Sequence, residues 1–400
     1  MAARDVVILG AARTPIGRYG GVFKDLHAAE LGAVAARAAL ERANVPVDEV
    51  DEVIVGHGRQ AGSGPNPARQ VAHRSGIPVR APAQTINKAC ASGLQAVASA
   101  AQSILLGESD CVLAGGIESM SRMPYLVDSI DARWGHRMGD FELVDAMYRD
   151  GFQDPLSGLM MGETAEVLAR QYGITRAESD QFALESQQKA EAAQKAGHFA
   201  REMAPVTVTE RGKRTLVEVD EHPRHGTTIE ALAKLPLVFP KVEEHDGIIT
   251  AGSSSGITDG GAALVLASDR WAADRGLKPL ARITGWASAG VDPRLMGIGP
   301  VPAIQKLYER HGLDVASFDL IELNEAFAAQ VLAVLKDVAI PREKLNVNGG
   351  AIALGHPIGC TGARIVVTLL HELMRREAVS GLATLCVSGG MGMALALERL

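Results

Sequence analysis

Four apolar residues in succession, Val6-Val7-Ile8-Leu9, run to Gly10 and predict a buried strand. Beyond it, Leu31, Val34, Ala38 and Val45 fall near the 3.6-residue spacing of a helix, and Val53-Ile54-Val55-Gly56 returns to the unbroken apolar pattern. Strand, helix and strand in that order predict a parallel sheet covered by helices. In the middle of the chain the pattern changes. Residues 121–250 carry Met, Trp and His in irregular order, among them Met123, Trp134, His136, Met138 and Met147. Within this stretch Thr175, with Glu178 three residues on, predicts a capping box. The helix it opens passes through Phe182, Ala183, Gln187 and Ala190 and stops near Gly197. Residues 206–209 and 215–219 alternate around Arg211-Gly212-Lys213 and predict a short hairpin.

The early pattern recurs late. Ala39-Leu40-Glu41-Arg42 answers to Leu307-Tyr308-Glu309-Arg310, and Asp51-Glu52-Val53-Ile54 to Asp319-Leu320-Ile321-Glu322. Cys90-Ala91-Ser92-Gly93 answers to Gly359-Cys360-Thr361-Gly362, and the Gly115-Gly116 pair to Gly389-Gly390. Four matches in one order predict two similar α/β halves folded on each other. The expected division is residues 1–120 with 251–274 for the first half, 121–250 for an inserted loop domain, and 275–400 for the second half. An insertion of that size reads as a lid or binding region, or else as a separately folded decoration.

Composition narrows the class. Forty Lys and Arg against 47 Asp and Glu give a net charge of −7, which argues against a nucleic-acid backbone as partner. No unbroken apolar run approaches the roughly 20 residues of a membrane span, so no membrane partner is expected. The first residues, Met1 to Asp5 and a short apolar run, are too brief for a signal peptide. Four cysteines without a C-x-x-C pair make no disulfide framework and suit a cytoplasmic setting.

Chemistry concentrates at four places. Cys90 stands where a strand-to-helix turn meets an apolar helix through Leu94, Val97, Ala101 and Ile104. The helix N-terminus there would favour a thiolate and lower its pKa; the alternative is an inert core cysteine. His356 lies among Gly349, Gly350, Gly355 and Gly359, ahead of the helix equivalent to the one Cys90 starts. If an approximate twofold relates the halves, it faces Cys90 as a base; otherwise it is a loop histidine. Cys386 precedes a Gly389-Gly390 turn after a strand at 382–385, and reads as a second acid/base or an ordinary turn thiol. Asn324, after a strand at 320–322, can orient a water or an oxyanion, or cap a helix. His222 and His225 have the spacing of a metal pair but no third ligand, so no metal is expected.

Together the four segments resemble the thiolase family, and within it the acetyl-CoA acetyltransferase type. Further motifs carry the resemblance along the chain: Ala11-Ala12-Arg13-Thr14-Pro15-Ile16-Gly17, Gly115-Gly116-Ile117-Glu118-Ser119-Met120-Ser121, Met161-Gly162-Glu163-Thr164-Ala165-Glu166 and Thr250-Ala251-Gly252-Ser253-Ser254-Ser255-Gly256. The resemblance implies two β-α-β-α-β-α-β-β halves in a five-layered α-β-α-β-α core, with a loop domain that receives coenzyme A. It implies the acylated nucleophile at Cys90, its base at His356, the α-proton thiol at Cys386, and Asn324 holding a water in one oxyanion hole. A second oxyanion hole would use backbone N–H groups of Cys90 and of Ser388, a position commonly glycine in the family. By the same resemblance Arg224 and Ser255 match coenzyme A contacts, Met161 a pocket-wall residue near the acyl group, and Phe327 a position that binds the cofactor. Acetyl-CoA, acetoacetyl-CoA and CoA are the implied substrates, with no permanently bound cofactor, in a homotetramer built as a dimer of dimers. Two rivals stand beside this reading: a thiolase for longer 3-ketoacyl chains, with Met160, Met161 and Leu156 setting pocket depth, and a non-catalytic acyl-CoA carrier or scaffold.

Overall fold

The unbroken apolar runs form strands because both of their faces are covered. The computed structural model describes residues 4–400. The first half runs β1 (Val6–Arg13), α1 (Ala28–Ala43), β2 (Glu52–His57), α2 (Pro67–Arg74), β3 (Ala83–Ile86), α3 (Ser92–Leu106) and β4 (Cys111–Ser119). An insertion carrying α4 (Met161–Gln171) and α5 (Arg176–Lys195) follows, and β5 (Thr258–Ser268) completes the half. The second half runs β6 (Ala281–Gly290), α6 (Pro300–His311), β7 (Leu320–Leu323), α7 (Ala328–Asp337), α8 (Ile358–Arg376), β8 (Ser380–Val387) and β9 (Met391–Arg399). Where the first half has β3, the second has a single bridge, Ile321 to Leu345.

The sheet order is β7-β8-β9-β6-β1-β5-β4-β2-β3. Within the sheet the halves pair at Val7–Arg282 and Ile8–Ala281. In β1 and β5, Ile8, Ala262 and Leu264 face one core while Val7, Ala263 and Val265 face another. The first core holds α3 and α8 as a middle layer between the two halves of the sheet. The second holds α1 and α2 outside the first half, and a third packs α6 and α7 outside the second. These are the five layers, α-β-α-β-α, that the resemblance implied.

Glycine lets α3 and α8 touch backbone to backbone. A Cβ on Gly362 would lie 2.3 Å from the Leu94 nitrogen, and one on Gly93 would lie 2.7 Å from the Ala363 nitrogen. Residues 89–106, α3 and its approach, are long and apolar enough to cross a membrane, although polar residues interrupt the run. Here that length serves the middle layer.

The last repeat match needs correction. Val53 pairs with Leu113 as Ile321 pairs with Leu382, so β4 and β8 correspond at 113 and 382. Gly115-Gly116 lies inside β4, whereas Gly389-Gly390 is the turn after β8. The two glycine pairs answer different needs: Gly116 clears the Gly359 carbonyl, 2.4 Å from where a Cβ would stand, while Gly389 and Gly390 adopt φ of 84° and 80°.

That turn also locates the insertion. β8 and β9 close as a tight hairpin with Val387 opposite Met391, and β4 and β5 pair alike, with Ser119 opposite Asp259. The insertion fills the equivalent of the Ser388-Gly389-Gly390 turn. Its helix α5 opens at the expected Thr175 cap, where the hydroxyl accepts from the Glu178 N–H. The expected hairpin forms at Val206–Glu210 and Lys213–Val217, with φ of 49° at Arg211 and 81° at Gly212, both in the left-handed region its tight turn requires. Arg13, wholly buried in β1, ties the insertion down: its Nε donates to Glu202 at 2.5 Å and its Nη1 and Nη2 to Asp220 at 2.7 and 3.0 Å. Thr368 of α8 donates to the same Glu202 carboxylate at 3.2 Å.

Candidate active site

Cys90 is presented by a turn that its neighbours pin in place. The Asn87 side chain donates to the Gly58 carbonyl at 3.0 Å and accepts from the Ala89 N–H at 3.0 Å. Ser92 Oγ accepts from the Lys88 N–H at 2.9 Å and donates to the Ala89 carbonyl at 2.6 Å. Ala89 is held at φ 44°, the left-handed region, which costs a residue with a Cβ. Lys88 braces the turn across the halves, donating to Gln95 at 2.9 Å and to Ser288 of β6 at 2.7 Å. Cys90 therefore stands half-buried at the tip, two residues before α3. The expected lowering of its pKa does not occur. Burial pushes the thiol up, outweighing the Arg59 charge and the backbone N–H groups of Ser388 and Cys90 that act the other way.

His356 enters from the second half, after Gly355 at φ 98° and before Pro357, which caps α8. Its N–H donates to the Gly256 carbonyl at 2.9 Å. Its Nδ1 lies 2.6 Å from Thr361 Oγ1, and that hydroxyl donates its one proton to the Pro357 carbonyl at 3.0 Å. Thr361 must then accept from Nδ1–H, which leaves the lone pair on Nε2. Nε2 is buried without a protein partner. Burial first, then the charges of Arg364 and Arg59, pull the imidazole down to about 3, so it is neutral at physiological pH.

Cys386 sits inside β8, one residue from its end, not in the following turn as the sequence suggested. It is fully buried beside Met296 and Ala326, with Met161 and Phe327 packed against them. Burial, and secondarily the nearby Cys90, push its thiol well above the ordinary range. Asn324 follows β7, its N–H donating to the Thr384 carbonyl at 3.0 Å. Its side-chain oxygen and nitrogen are both buried without partners.

Glu118 at the end of β4 joins the halves at this point. Its carboxylate accepts from the N–H groups of Gly58 and Arg59, each at 3.2 Å, and of Gly359 in the first turn of α8 at 2.8 Å. His57 Nε2 lies 3.0 Å from it. An anion at the start of α8 is the favourable placement. Nothing in the spacing of Glu118 alone pointed to this role, because its partners come from β2 and α8.

One cavity of about 1010 Å³ receives the predicted residues. Cys90, His356, Cys386 and Ser388 line it together, as do Met161, Phe327, Ser255 and Arg224. Asn324 is buried and is not among the residues that line it. Met160 lines the cavity, but Leu156, expected to help set its depth, does not and is 71% exposed. His222 and His225 turn to different partners, Nδ1 of the first to the Ala353 carbonyl at 2.8 Å and Nε2 of the second to Gln194 at 2.6 Å. Arg59, which the sequence reading missed, is buried in the same wall.

Family models agree with this architecture. The N-terminal domain of thiolase matches residues 6–270 and the C-terminal domain of thiolase residues 277–399. An acetyl-CoA acetyltransferase of Cupriavidus necator is 51% identical over 396 residues, covering 99% of each chain. The crystal structure of the Bacillus anthracis acetyl-CoA acetyltransferase superposes with a TM-score of 0.96 at 48% identity, covering 100% of both chains. Human mitochondrial 3-ketoacyl-CoA thiolase in complex with CoA superposes at 0.94 with 44% identity, covering 99% of this chain and 98% of that one. Fold and relatives define the class: an acyltransferase of two-half α/β architecture. The chain belongs to the thiolase family.

Proposed function

We propose that this chain is an acetyl-CoA acetyltransferase, reversibly joining two acetyl-CoA into acetoacetyl-CoA and free CoA. The observation that supports it most is one cavity lined by a turn-borne Cys90, a neutral His356 with its free nitrogen buried, and a protonated Cys386. The names and full-length similarity of the relatives support the same substrate.

In the first half-reaction His356 Nε2 takes the Cys90 proton, and the sulfur attacks the acetyl-CoA carbonyl. Backbone N–H groups of Cys90 and Ser388 hold the oxyanion. The carbon–sulfur bond to CoA breaks, and the leaving thiolate takes the Cys386 proton. Acetyl-Cys90, imidazolium and the Cys386 thiolate remain. That thiolate then removes an α-proton from a second acetyl-CoA. Imidazolium, with a water held by Asn324, supports the enolate oxygen, and the enolate carbon attacks the acetyl group on Cys90. Collapse releases acetoacetyl-CoA, and His356 returns its proton to Cys90. Every proton is accounted for, and a Cys386 thiol that burial keeps protonated at rest is the donor the first step needs.

Arg224 and Ser255 hold coenzyme A at the mouth, and Met161 and Phe327 flank the acyl group. We also infer a homotetramer. The insertion displays Tyr125, Ile130, Trp134 and Met138, the last two 79% and 91% exposed, and another copy of the chain is the partner that would cover them.

Mass spectrometry after incubation with acetoacetyl-CoA tests the chemistry. One acetyl group of about 42 Da per chain is expected on Cys90. Cys90→Ala loses it; Cys386→Ala retains acylation but not condensation. Ligand bound without an adduct would favour a carrier. The similarity to a 3-ketoacyl-CoA thiolase supports a second reading, and faster turnover of 3-oxooctanoyl-CoA than of acetoacetyl-CoA would select it.

A further inference from the structure

Arg59 is 8% exposed, yet has no carboxylate partner among the described residues. Its only side-chain hydrogen bond there runs from Nη2 to the Gly151 carbonyl at 2.6 Å, and its Nε is buried without a partner. The nearest candidate, Glu118, accepts from the Arg59 backbone and is already occupied by His57 and the N–H groups of Gly58 and Gly359. Gly151 leaves room for the guanidinium, since a Cβ there would stand 3.2 Å from Nε. A buried cation with one neutral acceptor is costly unless an anion completes it.

Arg59 lines the cavity that holds Cys90, and its charge acts on both Cys90 and His356. The phosphates of coenzyme A do not answer to it. The long pantetheine arm carries them to the rim, where exposed Arg224 and Arg18 lie. A thioester reacting at Cys90 would bring the far end of its acyl chain, and not its phosphates, to buried Arg59 in the same cavity.

We propose that the cavity also accepts acyl chains ending in a carboxylate, with Arg59 selecting them by pairing with that carboxylate. This rests on the acyltransferase reading and extends its substrate class to CoA thioesters of 3-oxo-dicarboxylic acids. In cleavage, His356 Nε2 takes the Cys90 proton, to be returned when Cys90 is released, Cys90 Sγ bonds to C3 of the substrate as the C2–C3 bond breaks, and C2 takes the Cys386 proton and leaves as acetyl-CoA. The acyl group on Cys90 then keeps its terminal carboxylate against Arg59, and free CoA carries it off as a second thioester, with the CoA proton restoring Cys386.

The test compares thiolytic cleavage of 3-oxoadipyl-CoA and 3-oxohexanoyl-CoA, which differ at the chain terminus, with acetoacetyl-CoA assayed alongside. The expected kcat/KM is about tenfold or more in favour of the acidic substrate. Arg59→Leu should bring that ratio to about one, and Arg59→Lys should keep part of it. A wild-type ratio at or below one overturns the proposal even if the variants fail to fold, and so does a ratio unchanged in Arg59→Leu. Loss of acetoacetyl-CoA cleavage in the wild type would instead overturn the acyltransferase reading and this proposal with it. Acetoacetyl-CoA cleavage without the acidic preference overturns this proposal alone.

Discussion

Thr361 has one proton to give and gives it to Pro357, so the tautomer of His356 is settled by a hydroxyl five residues along the chain. Thr361→Val removes the acceptor for Nδ1–H and frees the imidazole to rotate or exchange its proton. Acylation of Cys90 should slow roughly ten- to a hundredfold with KM little changed, as measured by stopped flow, and Thr361→Ser should recover most of it. The resting protonation states give a second expectation. His356 is neutral above about pH 3 and the Cys90 thiol lies above its ordinary value, so thiolate forms only as pH rises. Inactivation by iodoacetamide should therefore climb through the alkaline range with no inflection near pH 6.5. A plateau reached by about pH 7 would mean a Cys–His ion pair at rest, against this account. Cys90 and His356 were legible because each stands in a turn whose glycines and following helix announce it. Arg59, Glu118 and Thr361 were not, since each matters through a partner brought near by the fold.

At the scale of elements, the middle layer is governed by two glycines with helical backbone that other residues could adopt. Gly93 and Gly362 are small because the facing helix leaves no room for a Cβ. Gly362→Val should lower stability by about 1–3 kcal/mol, read from the urea midpoint. It should also impair catalysis, because α3 and α8 carry Cys90 and His356 at their starts. An unchanged midpoint would show that the helices can part freely. The order of strands and helices was readable from buried runs and helical spacing. The register of the last repeat was not, because a glycine pair looks the same in a sequence whether it clears a neighbour inside β4 or turns the chain after β8.

For the whole molecule, the insertion carries both the residues proposed to receive coenzyme A and the exposed apolar side chains around Trp134 and Met138. Replacing both with Asp should halve the mass seen by light scattering, from four copies to two, with each chain still folded. A wild-type mass below four copies would refute the tetramer. The presence of an insertion was plain from its irregular composition, but its seat in a hairpin depends on strand pairing that no local pattern encodes. That seat has a cost for anyone wishing to exchange the segment. Ser119 and Asp259 face each other closely enough for a Ser-Gly-Gly linker to bridge the gap, as its counterpart does between Val387 and Met391. Trimming the chain there would nonetheless strand Arg13, whose two counter-ions leave with the excised cassette. A shortened derivative would need an apolar residue at 13 before it could be expected to hold together.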